Sequence, residues 1–446
     1  MSLKESKKEA IEPAKDGVGQ QRKLFGAVDL SPLTTSREFS LLFAGQSVSF
    51  FGSMMSYVVI PWQTYQLTKS SLAVGLLGVA EFVPVFFMSF VGGALADSVD
   101  RRRIIRVTEL CLAFGSGILI LNSLLANPKI WVLFVCAAGF ATLNGLQRPS
   151  LEALTSKLIP PDKIPGAVAL NTLGRTVGGL AGPAAGGLLA VAAGPAFAYG
   201  IDLGTFVISL VALWLMNAVP PPPNADRPGL RSVVEGLRYA KSRPELLGTY
   251  LIDINAMFFG MPMALFPAIA TGFGGASVGF LYAAPSVGSF LVTLTSRWTG
   301  RVNRHGLAII LAAGVWGVSI ICLGLATRLW IALGCLVIAG GADMVSGLFR
   351  MIMWNQTVPD HLRGRLAGIE MISYMTGPLL GNAESGVVAS IFSVRTSVVS
   401  GGFLCVVGTG LMALALPSFL RYDARAGMER KKREEAERRG IEVLDG

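Results

Sequence analysis

The chain has 446 residues, of which 52% are apolar and only 15% are charged, and its mean hydropathy is +0.57. Soluble domains carry roughly 25% charged residues, so this composition excludes a soluble enzyme, a disordered chain and a disulfide scaffold. Because each membrane-crossing helix needs about 20 apolar residues, the length accommodates an all-α polytopic membrane protein.

The net charge of +10 sits mainly in two tails and several short loops, so we expect no nucleic-acid partner. The five cysteines lie in apolar stretches, where thiols act as small apolar side chains. The two histidines, His305 and His361, fall in predicted loops, so we expect no metal site and no cofactor. The N-terminus lacks the apolar segment of a cleaved signal peptide, so the first span itself must direct insertion.

Apolar runs bounded by charged or turn-forming residues predict twelve helical spans. A membrane barrel would show short alternating strands of about ten residues instead. The predicted spans are 40–66, 74–96, 104–126, 130–150, 166–190, 195–219, 247–270, 276–298, 306–327, 329–349, 365–392 and 396–420.

The distribution of basic residues predicts the orientation of these spans. The tails and even-numbered loops hold 33 Lys and Arg residues, and this count assigns Arg350 to the loop after span ten. The opposite loops hold four, and Arg175 lies inside a span. Basic residues favour the cytoplasmic side, so both termini are predicted to be cytoplasmic. Five tryptophans near span ends are predicted interfacial anchors: Trp62, Trp131, Trp214, Trp298 and Trp330.

The spans divide into two predicted bundles of six helices. IPPDKIPG at 159–166 follows span four, and VPDHLRG at 358–364 follows span ten, as expected of a duplicated transporter. The central loop opens with four prolines and continues as a short amphipathic surface helix, most simply a linker. The predicted organisation is a cytoplasmic tail 1–39, a bundle 40–219, a central loop 220–246, a bundle 247–420 and a cytoplasmic tail 421–446.

The loop between spans two and three reads GALADSVDRRR from Gly93. Asp97 is placed to meet a neighbouring helix N-terminus, and Arg101 and Arg102 supply cations beside it. Such charges can latch one conformation and release it in another. A plain positive-inside stop signal is the alternative interpretation, which accounts for the arginines alone.

Span five carries GGLAGPAAGG at 178–187. Small residues at every fourth position permit close helix packing, and a mid-helix proline removes one hydrogen bond and permits a bend. A packing groove without a transport role is equally compatible with the spacing. The residues singled out are Gly178, Gly182, Pro183, Gly186 and Gly187.

These two segments resemble signatures of the major facilitator superfamily. The loop matches the superfamily pattern at Asp97 and Arg101 but has Ser98 where the pattern has Arg, and Asp100 where it has Gly. The span-five string matches the Gly-x-x-x-Gly-Pro-x-x-Gly-Gly antiporter signature without departure. The resemblance implies two pseudo-symmetric bundles and favours export in exchange for protons over uptake.

From about Arg37 to Leu420, the chain also resembles the enterobactin-exporter and macrolide-efflux branch of that superfamily. The resemblance rests on FAGQS at 43–47, RPSLEAL at 148–154, EGLRY at 235–239, GFLYAA at 279–284 and PDHLRGR at 359–365. It implies a bacterial cytoplasmic membrane protein that moves a small organic molecule, such as a siderophore.

Ionisable residues inside spans are costly and therefore need a reason. The superfamily fold places spans seven and ten at a central cavity, so Asp253 and Asp343 are the leading proton or substrate candidates. Glu81, Arg175 and Glu370 are further candidates. Glu109 and Asp202 lie on third helices of the repeats, at the periphery of this fold, where a structural role is expected.

The resulting hypothesis is a monomeric, proton-coupled exporter, with protons, a small molecule and the lipid bilayer as its partners. A macrolide or multidrug pump is the alternative within the class, and a nutrient importer is a weaker one. A membrane-embedded enzyme would need a nucleophile–base pair that the spans lack. Aromatic side chains in the spans that would contact a cargo, or instead pack or face lipid, are Phe51, Tyr57, Phe82, Phe86, Phe87, Tyr250, Phe258, Phe259, Phe266, Tyr282 and Tyr374.

Overall fold

The computed structural model describes residues 29–98, 100–217, 243–359 and 363–423, together with Glu429 and Lys431. Eleven of the predicted spans each coincide with one long helix, the seventh coincides with two helical segments, and the described residues contain no strand. The helices are α1 Arg37–Thr68, α2 Ser71–Ser98, α3 Arg101–Leu124, α4 Ile130–Leu158, α5 Ile164–Ala192, α6 Pro195–Leu215, α7 in two segments Pro244–Phe259 and Phe266–Phe273, α8 Ser277–Thr295, α9 His305–Leu325, α10 Leu329–Thr357, α11 Arg363–Ile391 and α12 Val394–Ala415.

Within the described residues, ten helices are long and apolar enough to cross a membrane. The two other long helices are α5 and α11, which have 29 residues each and occupy equivalent places in the two halves. Both pack against the opposite half of the molecule, α5 on α8 and α11 on α2. A helix that faces protein on several sides does not need the apolarity of a lipid-facing one.

The same helix pairs pack together in both halves. In the first half α1 packs on α5 and α6, α2 on α4, and α3 on α4 and α6. In the second half α7 packs on α11 and α12, α8 on α10, and α9 on α10 and α12. The molecule is therefore two pseudo-symmetric six-helix bundles, which confirms the predicted fold class.

The bundles touch closely at one end of the molecule. A Cβ added at Gly187 in α5 would overlap the backbone of Gly279 in α8, and one at Gly75 in α2 would lie 2.6 Å from the Asn382 carbonyl of α11. These residues belong to the halves of their helices that lie away from the start of α1. We call this end the outer end, and the end where α1 begins the inner end.

The prediction of a continuous seventh span was wrong, because α7 breaks between Phe259 and Met263. Pro262 has no N–H to donate, so it removes one hydrogen bond of the helical ladder at the break. Other helices bind the freed backbone groups: Asn382 Oδ1 accepts from the Ala264 N–H at 3.0 Å, and the Tyr282 hydroxyl donates to the Met263 carbonyl at 2.8 Å. Irregular backbone at this depth persists where protein satisfies it.

Several predicted boundaries shift in the structure. A short helix, Ser31–Thr35, lies within the predicted first tail, where the backbone N–H of Ser31 donates to Asp29 and lowers the pKa of its carboxyl group. The last predicted span continues past α12 as a turn, Pro417–Leu420, whose Phe419 is fully buried. The central-loop surface helix and His361 lie outside the described residues.

Two local predictions were wrong. Trp62 is buried, with only 6% of its surface exposed, and its ring packs over Gly275, whereas the four other predicted anchor tryptophans are exposed. His305 does not lie in a loop but begins α9, buried beside the rings of Phe349 and Tyr422. Burial also raises the pKa of the Tyr422 phenol, which lies beyond the last span.

Candidate functional site

A cavity of about 900 Å³ lies between the bundles. Its walls come mainly from α1, α4 and α5, with contributions from α2 and α11. The polar and aromatic side chains that line it include Phe43, Gln46, Ser49, Phe50, Tyr57, Glu81, Phe140, Asn144, Gln147, Arg148, Glu152, Asn171, Arg175 and Tyr374. This volume is in the range of small-molecule sites.

The cavity extends toward the inner end of the bundles. Leu42 near the start of α1, Thr155 near the end of α4 and Val168 near the start of α5 all line it. At the outer end the rings of Tyr57 and Tyr282 meet edge to face, 5.8 Å apart between centroids, and join α1 to α8. The bundles therefore enclose a site that is closed at the outer end.

Five charged side chains line the cavity, and one of them is Asp202 of α6. Arg148 and Glu152 pair along α4 at 3.3 Å, and both are well exposed. Glu81 and Arg175, both predicted as site residues, line the same cavity. In the part of the chain that the structure describes, neither has an ion-pair or hydrogen-bond partner. A charge that faces a cavity without a partner is available to a ligand.

Asp253 and Asp343 share one cation. Arg350 of α10 pairs with Asp253 of α7, and its second terminal nitrogen lies 3.8 Å from Asp343 Oδ1. Asp253 is buried, whereas the Asp343 side chain is 41% exposed. Neither acid is among the side chains that line the cavity described above.

Arg350 was missed by the sequence analysis, which placed it in a loop. The helix α10 continues to Thr357, so Arg350 lies two turns inside its end. Its spacing of seven residues from Asp343 puts both on one helix face. This spacing could have indicated that Arg350 lies near Asp343 on the same helix. It was overlooked because the apolar run was taken to end before Arg350.

Glu109 is almost completely buried, and neutral side chains surround its carboxylate. Gln46 and Gln147 each donate to it at 2.9 Å, and Ser49 donates at 3.1 Å. Asp202 is fully buried; its Oδ2 accepts from Ser56 at 2.5 Å and from Ser116 at 3.0 Å. Their donors come from α1, α3 and α4, and the sequence pattern did not indicate them.

The predicted latch residues lie only partly within the described structure. The backbone of α2 runs through Gly93 and Asp97, but their side chains lie outside the description, as does that of Glu370 in α11. Arg102 is buried and donates to the Leu213 carbonyl at 3.0 Å, at the C-terminal end of α6. A cation at this position complements the helix dipole. Arg101 is also buried and lies 3.4 Å from the Ala153 carbonyl.

The antiporter-like string of α5 serves two contacts. Gly178, Gly182 and Gly186 face Phe50, Met54 and Met55 of α1, all within the first bundle. Gly187 instead faces Gly279 across the bundle interface. Despite Pro183, α5 is one uninterrupted helix.

Two helix bundles with many apolar helices, enclosing a partly charged cavity, are the architecture of a membrane transporter. Residues 27–440 match the family described as transmembrane secretion effector. The chain belongs to this family of the major facilitator superfamily. Its relatives are transporters, which confirms the prediction of a secondary transporter rather than an enzyme.

Curated relatives cover most of the chain. It is 29% identical over 398 residues to the enterobactin exporter EntS of Shigella flexneri and 28% identical to that of Escherichia coli strain SMS-3-5. Each alignment spans 89% of this chain and 95% of the relative. These relatives lie in the branch that the sequence motifs predicted.

Solved structures show the same fold. A bacterial homolog of the human lysosomal transporter Spinster, in an inward-facing and unoccupied conformation, has a TM-score of 0.66 at 16% identity and covers 89% of this chain and 98% of its own. A mutant of the nucleoside transporter NupG has a TM-score of 0.70 at 12% identity, with 86% and 99% covered. At these identities the likeness concerns the fold alone.

Proposed function

We propose that this protein is a proton-coupled exporter that carries a small, siderophore-like organic anion across the bacterial cytoplasmic membrane. The observation that supports this most directly is the cavity. It extends to the inner end, which the distribution of basic residues predicts to be cytoplasmic, and the bundles are in contact at the outer end. A site with this opening receives cargo from the cytoplasm.

The chemistry of the cavity wall favours an anionic, aromatic cargo. Arg175 faces the cavity without a partner among the described residues, and Arg148 shares the cavity wall with it. Guanidinium groups bind carboxylates and phenolates through charge-assisted hydrogen bonds. The rings of Tyr57, Tyr374 and Phe50 offer surfaces for an aromatic cargo. The relatives are enterobactin exporters, which supports a siderophore-like cargo.

Proton coupling is assigned to the carboxyl groups. Asp253 and Asp343 together carry two negative charges when ionised, and Arg350 carries one positive charge. Protonation of either aspartate would therefore make the net charge of the three side chains zero. Asp343 is the more exposed acid and is therefore the one that exchanges a proton with water. Glu81, which faces the cavity without a partner in the described residues, is the acid best placed to respond to cargo.

Transport then follows from rocking of the two bundles around the site. The outer contacts Gly187–Gly279 and Gly75–Gly386 must separate, and the inner ends of α4 and α5 must approach α10 and α11. A proton that binds one of the two conformations more tightly than the other shifts the equilibrium toward that conformation. This shift is what would drive the cargo outward. The antiporter-like string of α5 supports this direction over nutrient uptake. We further propose that the protein is a monomer with both termini in the cytoplasm.

A macrolide or multidrug pump is the second candidate, because much of the cavity wall is apolar. Phe43, Phe50, Met54 and Phe140 form surfaces that can adapt to large apolar molecules. A drug without negative charge would bind here without using Arg175.

Secreted metabolites of iron-starved cells with and without the protein, compared by mass spectrometry, test the proposal. An exported siderophore should disappear from the medium and accumulate inside cells that lack the protein. Complementation with Arg175→Gln should restore little export, whereas the control Arg328→Gln, which removes an arginine from an outer loop, should restore it fully. Unchanged secretion would contradict siderophore export, and resistance to macrolides and dyes would then support the second candidate.

A further inference from the structure

Polar side chains form a column through the interior of the first bundle. On α1 and on α3 they recur every seven residues, about two helical turns, so each set lies along one helix face. On α6 they lie at intervals of three and seven residues, which also share a face. The column consists of Ser49, Ser56 and Gln63 of α1, Glu109, Ser116 and Ser123 of α3, and Tyr199, Asp202 and Ser209 of α6.

The column has three hydrogen-bonded levels. At the inner level, Glu109 accepts from Ser49, and Gln46 links it to Ser209. At the middle level, Asp202 accepts from Ser56 and Ser116. At the outer level, Gln63 donates to Ser123 at 2.9 Å and accepts from the Tyr199 hydroxyl at 3.0 Å.

The two ends of the column reach two different cavities. Gln46, Ser49 and Gln147 at the inner level line the cargo cavity. Gln63 and Ser123 at the outer level line a second cavity of about 550 Å³ at the outer end of the bundles. The three levels therefore lie in sequence between the two cavities, each hydrogen-bonded within itself.

The middle level has an open binding position for a proton. Asp202 Oδ1 is buried and has no hydrogen-bond partner among the described residues. It points toward Gly52, where an added Cβ would lie only 2.7 Å from it. An ionised carboxylate that is buried with an unpaired oxygen is costly, whereas a carboxylic acid uses one oxygen as a donor and the other as an acceptor.

Among the residues that the structure describes, no cation pairs with either acid. On α3, Arg106 lies one turn before Glu109, but its guanidinium donates to the Leu213 carbonyl at 2.9 Å and lies over the Trp214 ring. The face of α1 carries only neutral groups, and α4 contributes Gln147 and the thiol of Cys136. Arg175 of α5 and Glu81 of α2 line the cargo cavity, as Asp202 also does, but neither pairs with Asp202 or Glu109 among the described residues. Within the described residues, the acids face each other and neutral donors.

We propose that this column conducts protons between the outer cavity and the cargo cavity, with Asp202 and Glu109 as its two proton-binding groups. The proposal rests on the proposed function and adds to it a proton route along α1 that meets the cargo cavity at Asp202, Ser49 and Gln147. A proton from the outer cavity passes the Gln63 level and binds Asp202. Ser49 and Ser56, which donate to the two acids, are seven residues apart on α1, about 10 Å along the helix. Asp202 therefore gives its proton to intervening water as that water gives a proton to Glu109, so one negative charge moves outward as one proton moves inward.

The column also provides a physical link to the cargo site. Gln46 donates to Glu109 and lines the cargo cavity, so protonation of Glu109 weakens a hydrogen bond that positions a cavity side chain. The helix α1 carries both the column face and the cavity residues Met54 and Tyr57. A change at Glu109 is therefore transmitted to the cargo through one helix.

Infrared difference spectroscopy of the purified full-length protein in lipid tests the protonation directly. The carbonyl stretch of a protonated carboxylic acid should be present at neutral pH and disappear on titration to high pH. Asp202→Asn and Glu109→Gln should each remove part of this band, whereas the control Glu152→Gln, at an exposed cavity position, should leave it unchanged. Ser116→Ala should shift the Asp202 component by removing a hydrogen bond. A band that neither variant alters would overturn the proposal.

Transport into proteoliposomes separates this proposal from the proposed function, with enterobactin as the probe. Asp202→Asn should lower accumulation driven by a pH gradient about tenfold, an ordinary size for a coupling free energy, and leave downhill exchange unchanged. Wild-type transport that ignores the pH gradient would refute the proton-coupled exporter, whatever the infrared result. Full gradient dependence in both acid variants would refute the column.

Discussion

Arg350 determines the charge balance of the second bundle, because it is paired with Asp253 and lies near Asp343. We predict that Arg350→Ala destabilises the protein by about 3–5 kcal/mol, since removal of one partner leaves a buried charge unpaired. The double variant Asp253→Asn with Arg350→Gln should recover most of this loss, because it removes both charges. Thermal unfolding of the purified protein measures both effects.

Arg328→Ala provides the control for this prediction, because it removes a cation from an outer loop and leaves no buried acid behind. Its melting temperature should stay close to that of the wild type. A double variant that is no more stable than Arg350→Ala would contradict the proposed charge balance.

At this scale the sequence predicted the charged residues better than their partners. Asp253, Asp343, Glu81 and Arg175 were recognisable because charges are rare within apolar runs. The serine and glutamine donors to Glu109 and Asp202 were not recognisable, because neutral polar residues are common in spans and their roles depend on which helices meet. Helix contacts are nonlocal, and the periodicity of a single helix does not specify them.

Among the helices, the contact between α5 and α8 holds the outer end closed. We predict that Gly187→Ala shifts the protein toward a state with its outer end open, because the added methyl group would overlap Gly279. Overpacking of this kind costs about 1–3 kcal/mol. Spin labels at Leu67 and Thr271, both beside the outer cavity, should move apart in this variant.

Gly179→Ala is the matched control in the same helix, because its methyl group would meet Ser286 Oγ at an ordinary distance of 3.7 Å. It should leave the distance between the labels unchanged. Equal distances in both alanine variants would show that the glycine contact does not control the outer end.

The break in α7 depends on two side chains from other helices. We predict that Asn382→Ala leaves the Ala264 N–H without its acceptor, at a cost of about 1–3 kcal/mol for a buried unsatisfied group. Hydrogen exchange measured by mass spectrometry should then speed up in the peptide that contains residues 260–266. Asn382→Asp keeps an acceptor oxygen and should preserve the protection, and equal exchange in both variants would contradict this role.

The positions of the helices followed from the apolar runs, but the break in α7 did not. Apolar residues continue on both sides of Pro262, so hydropathy shows one run. The groups that stabilise the break, Asn382 and Tyr282, are distant in sequence. The end of α10 was misjudged for a related reason, because Arg350 ended the apolar run while the helix continued.

For the whole molecule, the extension of the cavity toward the inner end predicts which side of the membrane can reach the cavity. Asn171 lines the cavity near the start of α5. In a background with its exposed cysteines replaced, Asn171→Cys should react with an impermeant maleimide in inverted vesicles and remain protected in right-side-out vesicles. A cysteine at Lys69, in a predicted outer loop, should show the reverse pattern. Labelling of Asn171→Cys from the outside alone would contradict the predicted orientation.

The architecture of the molecule was predictable because duplication leaves traces in sequence. The repeated segments after spans four and ten, together with the superfamily motifs, led to two bundles of six helices. The sequence did not predict which helices form the cavity walls. The cavity is lined mainly by the first bundle, and Asp253 and Asp343 are not among its lining residues. Cargo chemistry depends on which side chains converge there.

Uptake of enterobactin into inverted membrane vesicles tests the central claim most directly. Their lumen corresponds to the outside of the cell, so an exporter moves cargo inward as protons leave an acidified lumen. Vesicles that contain the protein should accumulate enterobactin when the lumen is acidified, and a protonophore should abolish the accumulation. Absence of uptake, or uptake that is indifferent to the pH gradient, would contradict a proton-coupled siderophore exporter.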